Sequence, residues 1–101
     1  MVLAIDFDNT IADSRHPIPG RKMGPPMPKA KESLLQLIEN GHTIIVHTIW
    51  TPDRHHVIAE WMGYYGIPYH SITNVKPDAS CYIDDKAIPF TSWDNLMNDI
   101  I

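Results

Sequence analysis

Residues 2–10 read Val-Leu-Ala-Ile-Asp-Phe-Asp-Asn-Thr, and this stretch passes abruptly from apolar residues to acidic and small polar ones. A short apolar run that ends in polar residues is typical of a buried strand. We therefore predict a strand over residues 2–5. Its carboxyl end delivers the acidic cluster that begins at Asp6 to the edge of a sheet.

The rest of the chain alternates between similar apolar runs and helical patterns. Residues 43–47 are rich in β-branched side chains and predict a second buried strand. Shorter strands are predicted over residues 69–72 and 81–83. Apolar side chains at helical spacing predict three helices. The first covers residues 29–40 and the third residues 91–99. The second begins with Thr51 as its N-cap and ends at Gly66.

This order of elements indicates the fold class. Strands that alternate with helices favour a central parallel sheet with helices on both faces, an α/β architecture. Residues 13–28 are repeatedly interrupted by Pro and Gly, so they are predicted to form a loop. That segment is too short for a folded cap. We therefore predict one domain over residues 1–101, without a large cap domain.

Several polar residues directly follow predicted strands. They are Asp6, Asp8, Thr48, Asp84 and Asp85. Ligands of open parallel sheets bind beyond the carboxyl ends of the strands. These residues are distant in sequence, but the predicted topology brings them to one edge of the sheet.

The same positions carry four short motifs in a fixed order. They are Asp6-Phe7-Asp8-Asn9-Thr10, Thr48 after an apolar strand, Lys76-Pro77, and Asp84-Asp85 after another apolar strand. This set resembles the motifs of the haloacid dehalogenase (HAD) superfamily of phosphohydrolases, and it spans residues 6–85. The resemblance implies a three-layer, Rossmann-like HAD fold and a magnesium-dependent phosphatase.

The resemblance also implies roles for the acidic residues. Asp6 would be the nucleophile that forms an aspartyl phosphate, and Asp8 the general acid and base. Mg²⁺ offsets the repulsion between clustered carboxylates and takes oxygen ligands. The implied ligands are the carboxylates of Asp6 and Asp84 and the backbone carbonyl of Asp8. Asp85 would either hold these ligands in position from behind or bind the metal directly.

Other residues are predicted to hold the phosphate. Thr48 offers a hydroxyl donor, and Lys76 a positive charge that balances Asp6 and the transferring group. Backbone N–H groups near Phe7, Asp8 and Ile49 would complete the cradle. Arg21 and Lys22, in the loop after the first motif, are cations that suit an anionic substrate, although a solvated loop is the equally weighted alternative.

Composition limits the partners. The formal net charge is −4 and the pI about 5.8, which disfavours a basic nucleic-acid-binding face. The single cysteine, Cys81, allows no intramolecular disulfide and favours the cytoplasm. No apolar run approaches the roughly 20 residues of a membrane span. A phosphorylated small molecule is the predicted partner, no membrane partner is expected, and a homo-oligomer is compatible with the sequence.

Two other functions are compatible with these motifs. One is a catalytically silent HAD-fold module that binds a phosphorylated partner, and the other is a nucleic-acid end phosphatase. The complete set of motif residues favours an enzyme over the silent module, and the acidic net charge disfavours a nucleic-acid substrate. A dehalogenase belongs to the same superfamily, but the position of Asp8 matches the phosphatase pattern better.

Individual residues also have simpler interpretations. Thr48 alone would be read as a helix N-cap and Lys76 alone as a surface lysine, and only their context favours phosphate contacts. His47 is interpreted as structural. Trp50 stands two residues after Thr48, where many small members of the superfamily carry Arg, and Arg54 is a nearby replacement.

Overall fold

Four parallel strands form the centre of the fold. The computed structural model describes residues 1–17, 23–84 and 92–100. The strands are β1 (Val2–Asp6), β2 (Thr43–His47), β3 (Ser71–Thr73) and β4 (Cys81–Ile83). The α-helices are α1 (Ala30–Glu39), α2 (His55–Tyr65) and α3 (Trp93–Ile100), and a 3₁₀ turn over Pro52–Arg54 precedes α2.

The sheet has the order β3-β2-β1-β4, and every neighbouring pair is parallel. The register pairs Asp6 with His47 across β1 and β2, and Ile5 with Ile83 across β1 and β4. All four strands therefore end at one edge. This arrangement confirms the predicted Rossmann-like α/β class without a large cap.

One face of the sheet carries the hydrophobic core. Leu3 and Ile5 of β1 and Ile44 and Val46 of β2 share this face through the register, and all four are fully buried. They belong to one cluster with apolar side chains of the three helices. Those helix residues are Leu34 and Leu37 of α1, Ile58 and Met62 of α2, and Trp93 and Leu96 of α3. Burial of this face is the main apolar contribution to folding.

Helices were predicted on both faces, but in the described part of the chain all three α-helices join this core, and the other face is covered by the β3–β4 connection. Tyr82 lies on this face, opposite Ala4, and its hydroxyl donates to the carbonyl of Pro77 at 2.5 Å. The Lys76 ammonium lies 4.7 Å from the centre of the Tyr82 ring. Residues 74–80, which connect β3 to β4, therefore pass along this face. A right-handed crossover from one edge of the sheet to the other requires this path.

Element boundaries agree with the sequence to within two residues, except at the start of α2. Gly41 and Gly66 adopt the predicted left-handed backbone after α1 and at the end of α2. Thr51 was expected to cap α2 with its side chain, but it makes no side-chain cap bond, and the chain first forms the 3₁₀ turn. A hydrogen bond from the Thr51 side chain instead lowers the pKa of the nearby Asp53 carboxyl. The hydroxyl therefore serves a carboxylate rather than a backbone N–H.

The described parts of the predicted loop fold back on the first motif. Met27 N–H donates to the Ile11 carbonyl at 2.8 Å, and Asp13 N–H donates to the Pro25 carbonyl at 2.7 Å. The indole N–H of Trp61, in α2, donates to the Gly24 carbonyl at 3.0 Å. These bonds fix the returning end of the loop against α2 and beside the turn that follows β1.

Gly24 is required by this close packing. A Cβ atom there would lie 1.8 Å from the Asp13 carbonyl oxygen, whereas a Cβ on the exposed Gly63 of α2 would meet nothing within 4 Å. We expect Gly24→Ala to lower the free energy of unfolding by roughly 1–3 kcal/mol or more. Gly63→Ala should raise it by about 0.5–1 kcal/mol. Urea denaturation of both variants checks this, and equal effects would contradict the close packing.

Candidate functional site

The turn after β1 separates the side chains of Asp6 and Asp8 from the core. Phe7 N–H donates to the His47 carbonyl at 3.0 Å, so strand-like pairing continues one residue beyond β1. The Phe7 carbonyl then accepts the N–H groups of Ile11 and Ala12, each at 3.0 Å. The fully buried Phe7 ring packs edge-to-face on Trp61, with centroids 5.1 Å apart. Strand alternation therefore directs Asp6 to the opposite face.

Asp84 lies beside Asp6 at the carboxyl edge. Because Ile5 pairs with Ile83, the residues that follow them are neighbours on adjacent strands and share the face opposite the helices. Adjacent strands are about 4.8 Å apart. Two residues separated by most of the chain are thus brought side by side, as the sequence predicted.

This pair provides a donor set that fits Mg²⁺. The ion usually takes one or two protein carboxylates and completes its octahedron with water and substrate oxygens. Asp6 and Asp84 supply the carboxylates, and the backbone carbonyl of Asp8 is close in the chain. Within residues 1–17, 23–84 and 92–100, no group of three or more His, Cys, Asp or Glu side chains is arranged to hold a metal. Predicted Asp85 lies outside the described residues.

Asp8 has a partner that sequence reasoning did not identify. The Ser14 hydroxyl donates to Asp8 Oδ1 at 2.6 Å, within the short range typical of an O–H donor to a carboxylate. The bond joins the turn after β1 to the start of the loop. It fixes the orientation of Asp8, and a serine in a Pro- and Gly-rich loop gives no sequence signal for such a contact.

Thr48 follows β2 and is almost fully buried. Its N–H donates to the Thr73 carbonyl at 3.0 Å, and its Oγ1 accepts the N–H of Trp50 at 3.1 Å. Because a hydroxyl both donates and accepts, its proton can still be donated to an oxygen ligand. The side chain of Ile49 is 86% exposed, so its predicted contribution is limited to the backbone.

Lys76 reaches the same edge from the β3–β4 connection. It lines a pocket of about 260 Å³ together with His47, Tyr82 and Asp84. The structure therefore brings predicted Lys76 and Asp84 together. It also adds His47, which the sequence favoured as structural. The strand register would have indicated that His47 lies at this site, because His47 pairs with Asp6 and the two side chains share one face of the sheet.

The predicted basic loop is described only in part. Arg21 and Lys22 lie outside the described residues. Arg15 Nε is 3.4 Å from Asp13 Oδ1, and His16 Nδ1 is 2.9 Å from Asp13 Oδ2. The hydrogen bond from His16, with a smaller contribution from Arg15, lowers the pKa of the Asp13 carboxyl. Arg15 is thus paired with Asp13, a carboxylate of the same loop.

Trp50 and Arg54 occupy the region where the sequence departs from the HAD pattern. The guanidinium carbon of Arg54 lies 4.6 Å from the centre of the Trp50 ring, within cation–π range. The Trp50 carbonyl is 2.7 Å from His55 Nε2, a ring nitrogen positioned to donate to it. The cation therefore reaches the Trp50 side chain from the start of α2.

The fold is that of a Rossmann-like α/β protein, and a solved structure shares it. A conserved protein from Bacteroides thetaiotaomicron superposes with a TM-score of 0.81 at 24% sequence identity. The match covers 99% of this chain and 88% of that chain. At this identity the likeness shows the fold alone. No family model and no curated protein matches the chain.

Magnesium binding tests the site independently of turnover. We expect Mg²⁺ to raise the melting temperature of the wild type, because binding to the folded state stabilises it. Asp6→Asn and Asp84→Asn should each weaken Mg²⁺ binding more than about tenfold. Loss of a residue that merely orients a metal ligand already lowers metal affinity by that factor, and loss of the ligand itself should lower it at least as much. Titration calorimetry and thermal shift measure this.

Glu39→Gln is the matched control. Glu39 is exposed at the end of α1, before β2 begins, and so lies toward the opposite edge of the sheet. Glu39→Gln removes one negative charge, as the two Asp→Asn substitutions do, but at a position far from the site. This variant should bind Mg²⁺ as the wild type does. An equal loss in all three variants would show that only net charge matters.

Proposed function

We propose that this chain is a magnesium-dependent phosphatase of the HAD type, which hydrolyses a phosphate monoester through an aspartyl phosphate on Asp6. The observation that supports this most strongly is the pocket that Asp84 and Lys76 share at the carboxyl edge of the sheet, where Asp6 ends the adjacent strand β1. Two carboxylates and one cation at such an edge suit a metal-assisted phosphoryl transfer.

The proposed reaction has two displacements at phosphorus. An Asp6 carboxylate oxygen attacks the phosphorus, the bond to the leaving oxygen breaks, and the Asp8 carboxyl gives that oxygen its proton. Asp8 then removes a proton from a water molecule. The resulting hydroxide attacks the phosphorus, the Asp6–phosphorus bond breaks, and inorganic phosphate leaves. Both residues return to their starting states.

The surrounding groups stabilise the negative charge that such a transfer concentrates. Lys76 supplies a positive charge, and the Thr48 proton can be donated to a phosphate oxygen. Bound Mg²⁺ would be held by Asp6, Asp84 and the Asp8 carbonyl and would neutralise phosphate charge. With these groups, the site can bring an anionic ester next to an anionic nucleophile.

The setting of the proposed reaction follows from the sequence. Cys81 is the single cysteine, which suits the reducing cytoplasm. No helix in the described part of the chain is long and apolar enough to cross a membrane. We propose a phosphorylated small molecule as the substrate. Assembly of the chain into a homo-oligomer stays a prediction.

Phosphate release from a panel of monoesters, with Mg²⁺ and with EDTA, tests the proposal. We expect metal-dependent turnover in the wild type and in the Glu39→Gln control, and none in Asp6→Asn. Asp8→Asn should lower kcat by roughly 10²–10⁴-fold, the usual contribution of general acid–base catalysis. Intact-mass spectrometry should detect a phosphoryl adduct in Asp8→Asn.

Two outcomes would contradict this mechanism. Turnover in Asp6→Asn at the wild-type rate would exclude Asp6 as the nucleophile. Binding of Mg²⁺ and of phosphate esters without any turnover would favour the catalytically silent binding module.

Ser14 should act as a positioning residue for Asp8. Loss of its 2.6 Å hydrogen bond frees the Asp8 carboxyl to adopt other rotamers. We expect Ser14→Ala to lower kcat by roughly 2- to 10-fold, from the usual net value of a hydrogen bond, with little change in KM. Ser14→Thr keeps the hydroxyl and should restore most of the rate. Steady-state kinetics check this, and a pure KM effect would contradict positioning.

A further inference from the structure

A second pocket lies along α2 and is separate from the residues assigned to phosphoryl transfer. Its volume is about 370 Å³, toward the lower end of the range typical of small-molecule sites. We call it the aromatic pocket. Its lining residues are Met23, Trp50, Arg54, Val57, Glu60, Trp61 and Tyr64.

The aromatic pocket is linked directly to the catalytic edge. Trp50 is two residues beyond Thr48, and its N–H donates to Thr48 Oγ1 at 3.1 Å. The pocket continues from Trp50 along one side of α2 to Tyr64, more than two helical turns away. A phosphate at Thr48 would thus place the remainder of an ester at the mouth of this pocket.

The walls offer flat apolar surfaces that are fixed in place. Trp61 is held by its bond to the Gly24 carbonyl and by the edge contact with Phe7. Tyr64 packs edge-to-face on Tyr65, with centroids 4.9 Å apart, yet 77% of Tyr64 is exposed. Trp50 is half-buried and bears the Arg54 guanidinium over its ring. Trp61 is only 4% exposed and forms the floor of the pocket, so the solvent-exposed Tyr64 and the part of Trp50 not covered by Arg54 are the rings on which a planar group can stack.

The polar groups of the lining favour a ring with both donors and acceptors. Arg54 presents N–H donors and Glu60 presents carboxylate acceptors, and both are exposed at the pocket. Their charges cancel, so the lining does not select a polyanion. A neutral heteroaromatic ring can use the aromatic wall and both polar groups at once, whereas a nucleic-acid chain needs a basic track.

We propose that the aromatic pocket binds a planar heteroaromatic group of the leaving alcohol, so that the substrate is a monophosphate of the mononucleotide class. This inference rests on the proposed function for the phosphate end. The aromatic pocket takes the ring, and the carboxyl edge takes the phosphate.

Binding of nucleosides without phosphate tests the pocket apart from catalysis. We expect purine and pyrimidine nucleosides to shift the indole resonances of Trp50 and Trp61 in NMR spectra of the wild type and of Asp6→Asn, whereas ribose alone should not. Trp50→Ala and Tyr64→Ala should each weaken nucleoside binding by roughly 5- to 100-fold, the usual value of one stacked base.

Two further variants serve as controls. Trp50→Phe keeps a ring and should retain most of the binding even if Trp50→Ala is unstable. Leu35→Ala removes a partly exposed apolar side chain from α1, outside the pocket, and should bind as the wild type does. Equal effects of Leu35→Ala and Tyr64→Ala, or nucleoside binding no tighter than that of ribose, would overturn the proposal.

The kinetics separate the two proposals. Hydrolysis of nucleoside monophosphates with KM raised in Tyr64→Ala and kcat nearly unchanged supports both. Nucleoside binding without turnover of any monoester would leave the pocket standing and contradict the phosphatase. Turnover with KM unaffected by Trp50→Ala and Tyr64→Ala would contradict the pocket.

Discussion

The parallel pairing of β1 with strands on both of its sides is the constraint on which the site depends. β1 is an inner strand, with β2 on one side and β4 on the other. The register places His47 and Asp84 beside Asp6 on the face opposite the helices. A slip of one residue would transfer these side chains to the core face. The fully buried Leu3 and Ile5 oppose that slip, because it would remove them from the core that they form with the helices.

This arrangement also gives the edge its electrostatic character. Asp6 and Asp84 follow the paired residues Ile5 and Ile83 and place two carboxyl groups at the end of the sheet. Lys76 approaches from the crossover and lies over the Tyr82 ring. The sheet core therefore holds the acidic groups in place, and the crossover supplies a cation. Such a combination suits a cation or a phosphate as ligand.

The sequence predicted the framework because strands and helices leave local patterns. β2 has the predicted bounds, and the placement of Asp6 and Asp84 at one edge followed from the rule for carboxyl ends of parallel strands. The start of α2 was less predictable, because the Thr51 hydroxyl has two competing partners. It can accept a hydrogen bond from a helix N–H group, or it can donate one to the Asp53 carboxylate. Local propensity does not determine which bond forms.

The contacts that escaped prediction all join segments without a shared periodicity. Ser14 reaches Asp8 across a turn, and the Trp61 indole reaches the Gly24 carbonyl from α2. Trp61 was correctly predicted to be in the core, since its spacing on α2 is apolar. Nothing in that spacing shows that its N–H anchors a loop, because the partner is a backbone carbonyl and any residue type provides one.

Residues 1–17, 23–84 and 92–100 form no large cap, so under the proposed function the wall beside the site is important for selectivity. If the edge binds the phosphate that all monoesters share, as proposed, discrimination among them must come from groups that contact the rest of the substrate. Trp50 is placed for this, since its backbone is bonded to Thr48 and its ring lies against Arg54. An Arg at position 50 would bring a charge to the same place but no flat apolar surface. Under the proposed function, Trp50 would therefore favour a leaving group with a flat apolar face over one that needs a cation.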